Sequence, residues 1–399
     1  MPESKKTQSK SKRKPASSKK KSTKSTDSKK QREQTIFFTG YPGFIGRRIV
    51  REILQRYENP KIVLLIQRKF ATAAEKALIE LKEVEPKAVS AVSTVFGDLT
   101  EPNLGLSEAE FRKLADSLSE VWHLAAAYDL AMTEAVGFRI NVEGTGRVLD
   151  LCHRAKHFEK LVYMSTCYVS GTREGLILEE DFDLGQSFHN HYEATKFEAE
   201  VLVRENMDKI PTIILRPAIV IGESDTGETD KFDGFYYLVR SYVQLAEKFT
   251  AFRGVRLPVA GRPDVPMNFV PVDFVAKAAV IIGQNTANIG GTFHLADPNP
   301  MSFQEVASVV SGELGLGDPI FVVPEPVVRF VGKLPLLSDW VGVPAQIIPF
   351  LYNKDVFETR NMRRALEADG TACPSLREYL PRVVEFVRKY PRFLGGPKY

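Results

Sequence analysis

From Thr35 onward, short apolar runs alternate with stretches whose apolar residues recur at helical spacing. Thr35–Phe38 is apolar and β-branched, and Phe44–Tyr57 carries the 3.6-residue period of an amphipathic helix. Ile62–Ile66 is apolar without interruption, as expected of a strand covered on both faces. The spacing predicts further helices over about Ala71–Leu81, Glu108–Leu118, Asn141–Lys156 and Tyr192–Glu205. It predicts further strands over Ala91–Phe96, Val121–Leu124, Leu161–Met164 and Thr212–Leu215. This alternation, kept up to Gly222, implies an α/β fold: a doubly wound parallel sheet with helices on both faces. Beyond Gly222 the alternation fails, and Pro and Gly punctuate short segments. Residues 223–399 are therefore expected to form mainly a smaller cap or substrate region. Segments within about 265–300 (Asn268–Phe274 and Gly291–Leu295) are expected to return as strands to the main sheet.

Charge separates one further segment. Residues 1–34 hold 13 basic and 3 acidic residues, out of totals of 54 and 50 in the chain of 399. The remainder is mildly acidic. The first 34 residues have almost nothing apolar to bury, which predicts a disordered basic tail able to bind polyanions nonspecifically. No aromatic residue interleaves its lysines, so base stacking is not supported. Cys152, Cys167 and Cys373 are too few and too far apart for a disulfide framework, which fits a reducing compartment. No apolar run is long enough to span a membrane, and the N-terminus lacks an apolar signal core. A cytoplasmic protein is the expectation.

The turn after the first strand reads Thr39-Gly40-Tyr41-Pro42-Gly43-Phe44-Ile45-Gly46. Between a strand and a helix, glycines so spaced suit a dinucleotide pyrophosphate. Gly40 makes the sharp turn, Gly43 lets the backbone approach, and Gly46 lets the helix pack on the strand. The helix start at Phe44 and Ile45 then offers N–H groups to phosphate. The second strand ends in Arg68 and Lys69 rather than in an acidic residue. Arg68 is suited to a ribose 2′-phosphate, so NADP(H) is expected in preference to NAD(H). Asp98 and Leu99 end the third strand, where adenine would lie. Ala125 and Ala126 follow the fourth, small enough for a cofactor to lie close.

Thr166 follows the strand Leu161–Met164, and Tyr192 and Lys196 stand four apart on a predicted helix. They share one helix face. An ammonium there favours the phenolate, so Tyr192 suits proton transfer to a carbonyl oxygen that Thr166 can hold.

These residues resemble an extended short-chain dehydrogenase/reductase from Thr35 to near the C-terminus. The likeness rests on Thr39–Gly46, Gly97–Leu99, His123–Ala126, Asn141–Thr145, Ser165–Gly171, Tyr192–Lys196 and Leu215–Pro217. It implies a Rossmann-type NADP-binding domain over 35–222. It also implies roles: Thr166 orienting the substrate oxygen, Tyr192 as acid/base, Lys196 on the nicotinamide ribose, and Pro217 in the loop meeting the nicotinamide amide. Asn141 would help to structure the site. The stretches Phe188–Glu200, Gly222–Tyr237 and Thr359–Tyr379 are similar to thioester reductase and fatty acyl-CoA reductase domains. That narrower resemblance implies a reductase of a long-chain acyl thioester or aldehyde; joined to the reading of Arg68 it gives an NADPH-dependent reductase of such a substrate or another apolar carbonyl, with homo-oligomers allowed. A ketone/secondary-alcohol oxidoreductase or sugar epimerase of the same fold stays open, as does a non-catalytic dinucleotide sensor.

Other features are read more plainly. His153 and His157, four apart on a predicted helix, lack further ligands, and no metal is expected. His189 and His191 are expected to shape the loop before Tyr192 or to touch substrate. Cys167, beside Thr166, should pack in the core. The apolar stretch Pro319–Tyr352 could form an acyl tunnel, an ordinary cap core or a peripheral membrane contact.

Overall fold

A computed structural model describes residues 34–390 apart from 130, 231–233, 237–238, 241, 244–253, 255 and 324–344. The basic segment, the centre of Gly222–Tyr237 and most of Pro319–Tyr352 thus lie outside the described residues, except that Gln34 opens the first strand.

The strands are β1 Gln34–Thr39, β2 Pro60–Ile66, β3 Val92–Phe96, β4 Leu118–His123, β5 Lys160–Met164, β6 Gly175–Ile177, β7 Thr212–Pro217, β8 Ile219–Ile221, β9 Arg256–Ala260, β10 Phe269–Pro271, β11 Thr292–Leu295, β12 Gly317–Val323 and β13 Asp355–Phe357. The longer helices are α1 Phe44–Arg56, α2 Ala71–Val84, α3 Glu108–Ser117, α4 Gly144–Arg154, α5 His191–Glu205, α6 Val272–Gln284, α7 Phe303–Glu313, α8 Arg360–Glu367 and α9 Leu376–Lys389.

Seven strands form one sheet in the order β11-β7-β5-β4-β1-β2-β3. Every pair in it is parallel. Alternation along each strand sends side chains to opposite faces. Ile36 and Phe38 enter a core shared with Ile49, Val50 and Ile53 of α1 and Ala279 of α6. Phe37, between them, enters a core shared with Phe111 of α3, Val148 of α4 and Ala199 of α5. A third apolar core gathers residues of the C-terminal half, including Phe303 of α7 and Leu380 of α9.

Two expectations for the C-terminal half fare differently. Thr292–Leu295 does return to the main sheet, pairing with β7 at its edge. Asn268–Phe274 does not. Only Phe269–Pro271 is extended, it pairs with β8 in a separate two-stranded sheet, and Val272 already starts α6. Val272, Val275, Ala276 and Ala279 are buried at helical spacing, and that face packs beside α1. His157 lies in a turn beyond α4, so it shares no helix face with His153.

Candidate dinucleotide and proton-transfer site

From β1 the sheet runs one way through β2 and β3 and the other through β4, β5, β7 and β11. Such a reversal leaves a crevice beyond the carboxyl ends of the two strands where it occurs, here β1 and β4. The glycine turn sits there. Gly40 has φ +95°, and a Cβ on it would lie 2.9 Å from Leu124 Cβ. A Cβ on Gly46 would come within 2.5 Å of the Gly40 carbonyl oxygen, and one on Gly43 within 2.7 Å of the same atom. Gly43 is thus needed to close the turn, whose 2.9 Å bond runs from Gly43 N–H to Gly40 O, as well as for the backbone exposure expected of it. No side chain caps α1, and its first turn has no acidic residue. The N–H groups at Phe44, Ile45 and Gly46 begin a helix with nothing anionic of its own to neutralise, an arrangement that fits phosphate.

A cavity of about 370 Å³ opens at the ends of β2 and β3, lined by Gln67, Arg68, Lys69, Phe96 and Asp98 among others. The Arg68 guanidinium lies 5.4 Å from the centre of the Phe96 ring. Burial pushes the Asp98 carboxyl up, but the Thr100 N–H and hydroxyl, each at 2.8 Å, hold it below its ordinary value. Leu99 turns its side chain into the core; a Cβ on Gly144 would lie 3.1 Å from it. Ala125 and Ala126 are half-buried beside the glycine turn.

Thr166 follows β5 and is buried. Its Oγ1 accepts from Tyr168 N–H at 3.3 Å and donates, at a long 3.4 Å, to the Pro217 carbonyl. Pro217 ends β7, so the Thr166 and Pro217 loops meet. Tyr192 is in the first turn of α5, half-buried, its ring edge-on to Tyr128 at 4.9 Å. Asn190 caps this helix by accepting from Glu193 N–H at 3.0 Å. The buried Glu193 carboxylate reaches back to the His189 N–H at 2.9 Å. His189 therefore shapes the helix entry, one of its two expected roles. Lys196 is buried, and its ammonium donates to the Tyr163 hydroxyl at 2.9 Å and to the Met164 carbonyl at 2.8 Å. Burial lowers its pKa to about 7, while Glu200, one turn on, acts in the opposite direction.

Asn141 lies in a π-helical turn, Phe138–Glu143, directly before α4. Its side chain accepts from Ala127 N–H at 2.7 Å and donates to Thr195 Oγ1 at 3.1 Å. It ties the Ala125–Ala127 loop to the helix that carries Tyr192 and Lys196. Cys167 is core, as expected: burial holds its thiol up, and Sγ donates to the Arg216 carbonyl at 3.0 Å.

Sequence reasoning missed the buried ion cluster behind the site. Glu200 accepts from Ser165 Oγ at 2.5 Å, from Arg204 at 2.9 Å and from Arg216 through two bonds of 2.6 and 3.1 Å. Glu200 stands four residues beyond Lys196, and Arg216 precedes Pro217. That spacing was the only available signal.

The chain matches the family profile described as "Male sterility protein" over residues 38–279. It belongs to that family. The fold is that of an extended short-chain dehydrogenase/reductase. A non-canonical nonribosomal peptide synthetase from Aspergillus hancockii is 25% identical over 92% of this chain and 37% of its own length. A fatty acyl-CoA reductase from Drosophila melanogaster is 26% identical over 62% of this chain and 53% of its own. The chain thus spans about a third to a half of the length of these two relatives. The terminal R domain of the myxalamid PKS-NRPS pathway superposes with a TM-score of 0.76 at 25% identity, covering 91% of this chain and 92% of that one. Among the described residues, no helix is long and apolar enough to cross a membrane.

Proposed function

We propose that the protein is an NADPH-dependent reductase of long-chain acyl thioesters, in which residues 35–222 hold the cofactor and 223–399 mainly form the substrate region. The observation that carries this reading is the convergence of the uncapped glycine turn, Thr166, Tyr192 and Lys196 at the carboxyl ends of neighbouring strands. The substrate class rests on the relatives, whose names include fatty acyl-CoA reductase.

The glycine turn and the start of α1 would hold the pyrophosphate, and Pro217 would border the nicotinamide. Arg68 and Lys69 beside the β2–β3 cavity would take the 2′-phosphate. When bound, the dinucleotide supplies the hydride. Thr166 gives up its long bond to Pro217 and donates to the thioester oxygen instead. Tyr192 protonates that oxygen as the carbonyl carbon is reduced. Lys196, while protonated, stabilises the phenolate that Tyr192 leaves behind. The resulting hemithioacetal loses its thiol and leaves an aldehyde; a second reduction would give the alcohol.

Purified protein given palmitoyl-CoA and NADPH should release free thiol as NADPH is consumed. One NADPH per thiol means aldehyde, and two mean alcohol. Tyr192→Phe should abolish turnover while NADPH still binds; near-normal turnover would sink the mechanism. Arg68→Asp should weaken NADPH more than NADH, and equal losses would count against the 2′-phosphate assignment.

A further inference from the structure

His123 ends β4 between the glycine turn and the proton-transfer helix, and it is buried. Both of its ring nitrogens are engaged. Nδ1 lies 2.7 Å from Thr39 Oγ1, and Nε2 lies 3.0 Å from Thr145 Oγ1.

The neighbours decide which nitrogen carries the proton. Thr145 spends its single hydroxyl proton on the Asn141 carbonyl, at 2.6 Å. In that arrangement it accepts from the ring, and Nε2 bears the hydrogen. Nδ1 is then bare and accepts from Thr39. Thr39 Oγ1 in turn accepts from the Leu124 and Ala125 N–H groups, each at 3.2 Å. An Nδ1–H would bring Thr39 Oγ1 a third donor and leave its own proton without a partner among these contacts, so the Nε2–H tautomer is the one that fits. The imidazolium is disfavoured by burial and then by Lys196, which hold its pKa near 3.

The connected path is long. It starts at the residue preceding Gly40 and takes in the Leu124–Ala125 backbone, against which Gly40 is pressed. It crosses the His123 ring to Thr145 and Asn141. From the Asn141 side chain it reaches Thr195, whose hydroxyl donates to the His191 carbonyl at 2.7 Å. Thr195 lies between Tyr192 and Lys196. A second contact runs the same way: the His123 ring packs at 5.8 Å against Tyr163, whose hydroxyl accepts from Lys196.

We propose that His123, as its neutral Nε2–H tautomer, is a positioning residue that couples the dinucleotide turn to the helix of Tyr192 and Lys196. The proposal rests on the reading of the glycine turn as the cofactor site. His123 touches no reacting atom. It sets the distance between two structures that must act together, and a buried ring with both nitrogens bonded has little freedom to drift.

The test is a double-mutant cycle across the ring. Thr39→Val removes the partner of Nδ1, and Thr145→Val removes the partner of Nε2. The two threonines each bond the ring, and the path between them runs through it. NADPH affinity is measured by fluorescence titration, and the reduction rate with palmitoyl-CoA by stopped flow. Each single variant should lose roughly ten-fold in rate, the equivalent of one buried hydrogen bond. The double variant should lose scarcely more than the worse single, and Thr145→Ser should recover to within about two-fold. Losses that multiply independently in rate and in affinity would overturn the coupling. The affinity cycle needs no acyl substrate. It therefore still decides the matter if palmitoyl-CoA is not reduced, and that failure falls on the proposed reaction alone. Thermal melts confirm folding, and Thr39→Ala replaces Thr39→Val should the latter not fold. In ¹⁵N-histidine spectra, assigned with His123→Gln, the ring should show a protonated Nε2, a bare Nδ1 and no titration from about pH 5 to 8. A protonated Nδ1 would refute the assignment.

Discussion

The ammonium of Lys196 is held by two oxygens, the Tyr163 hydroxyl and the Met164 carbonyl, in a place with almost no water. Burial lowers its pKa to about 7, with Glu200 opposing. Its positive charge is present below that value and lost above it. The kcat/KM of the free enzyme should therefore fall on the alkaline side with a midpoint near 7. Lys196→Arg keeps its charge at any working pH and should move that limb upward, whatever its absolute rate. A profile flat from about pH 6 to 9 would count against a required ammonium. Linkage gives the sign for stability. The unfolded lysine holds its proton up to 10.5 and the folded one releases it near 7, so this residue's contribution to stability rises with pH between those values. Tyr192 and Lys196 were legible in the sequence because their spacing of four is a property of any helix. Which oxygens receive the ammonium was not, since Tyr163 and Met164 lie on a strand over thirty residues away.

The strand–turn–helix formed by β1 and α1 is the element most completely written in the sequence, because three glycines there answer three steric demands. Gly46 has the least room: a methyl carbon added to it would sit 2.5 Å from Gly40 O and 3.1 Å from Gly40 C. Gly46→Ala must push that carbonyl away and open the turn. A loss of about 1–3 kcal/mol is expected, together with weaker NADPH binding, readable by urea denaturation and fluorescence titration. Unchanged affinity would mean that the turn does not shape the phosphate site. The helix entering α4 was less legible. Apolar periodicity predicts a helix from Asn141, but the chain passes through a π turn there. Such turns occur often at functional sites. Here the turn carries Asn141, whose side chain meets both Ala127 and Thr195, and one residue's hydrogen bonds leave no periodic trace.

Across the molecule, Glu200 joins parts of the chain that are remote in sequence. Arg216 comes from β7, Ser165 from the end of β5, and Arg204 goes on to donate to Thr292 of β11 at 3.0 Å. The other side of Arg216 reaches the Asp181 carbonyl at 2.9 Å. Burial alone would raise the Glu200 carboxyl; Arg216 first, then Arg204 and Ser165, hold it below its ordinary value. Its contribution to stability is present above the unfolded carboxylate range and lost as pH falls through the folded value. Glu200→Gln strands two guanidinium groups, one of them fully buried. It should cost about 3–5 kcal/mol in denaturant unfolding, and a cost under about 1 kcal/mol would show the cluster to be replaceable. It should also slow the reaction through Thr166, which follows Ser165 in the chain.

The order of the main-sheet strands and long helices up to β7, the glycine turn, Arg68 just beyond β2, and the Tyr192–Lys196 pair were determined by the sequence alone, whereas the short strands β6 and β8 were not. Each is local: a period of two or 3.6, a turn that only glycine permits, a spacing of four. The tertiary structure decided what local pattern does not encode. It turned Val272 into the start of a helix, because α6 has a face to bury beside α1. It put both nitrogens of His123 to use and gathered Glu200, Arg204 and Arg216 behind the site. Buried polar groups must find partners wherever the fold brings them, and those partners come from any distance along the chain.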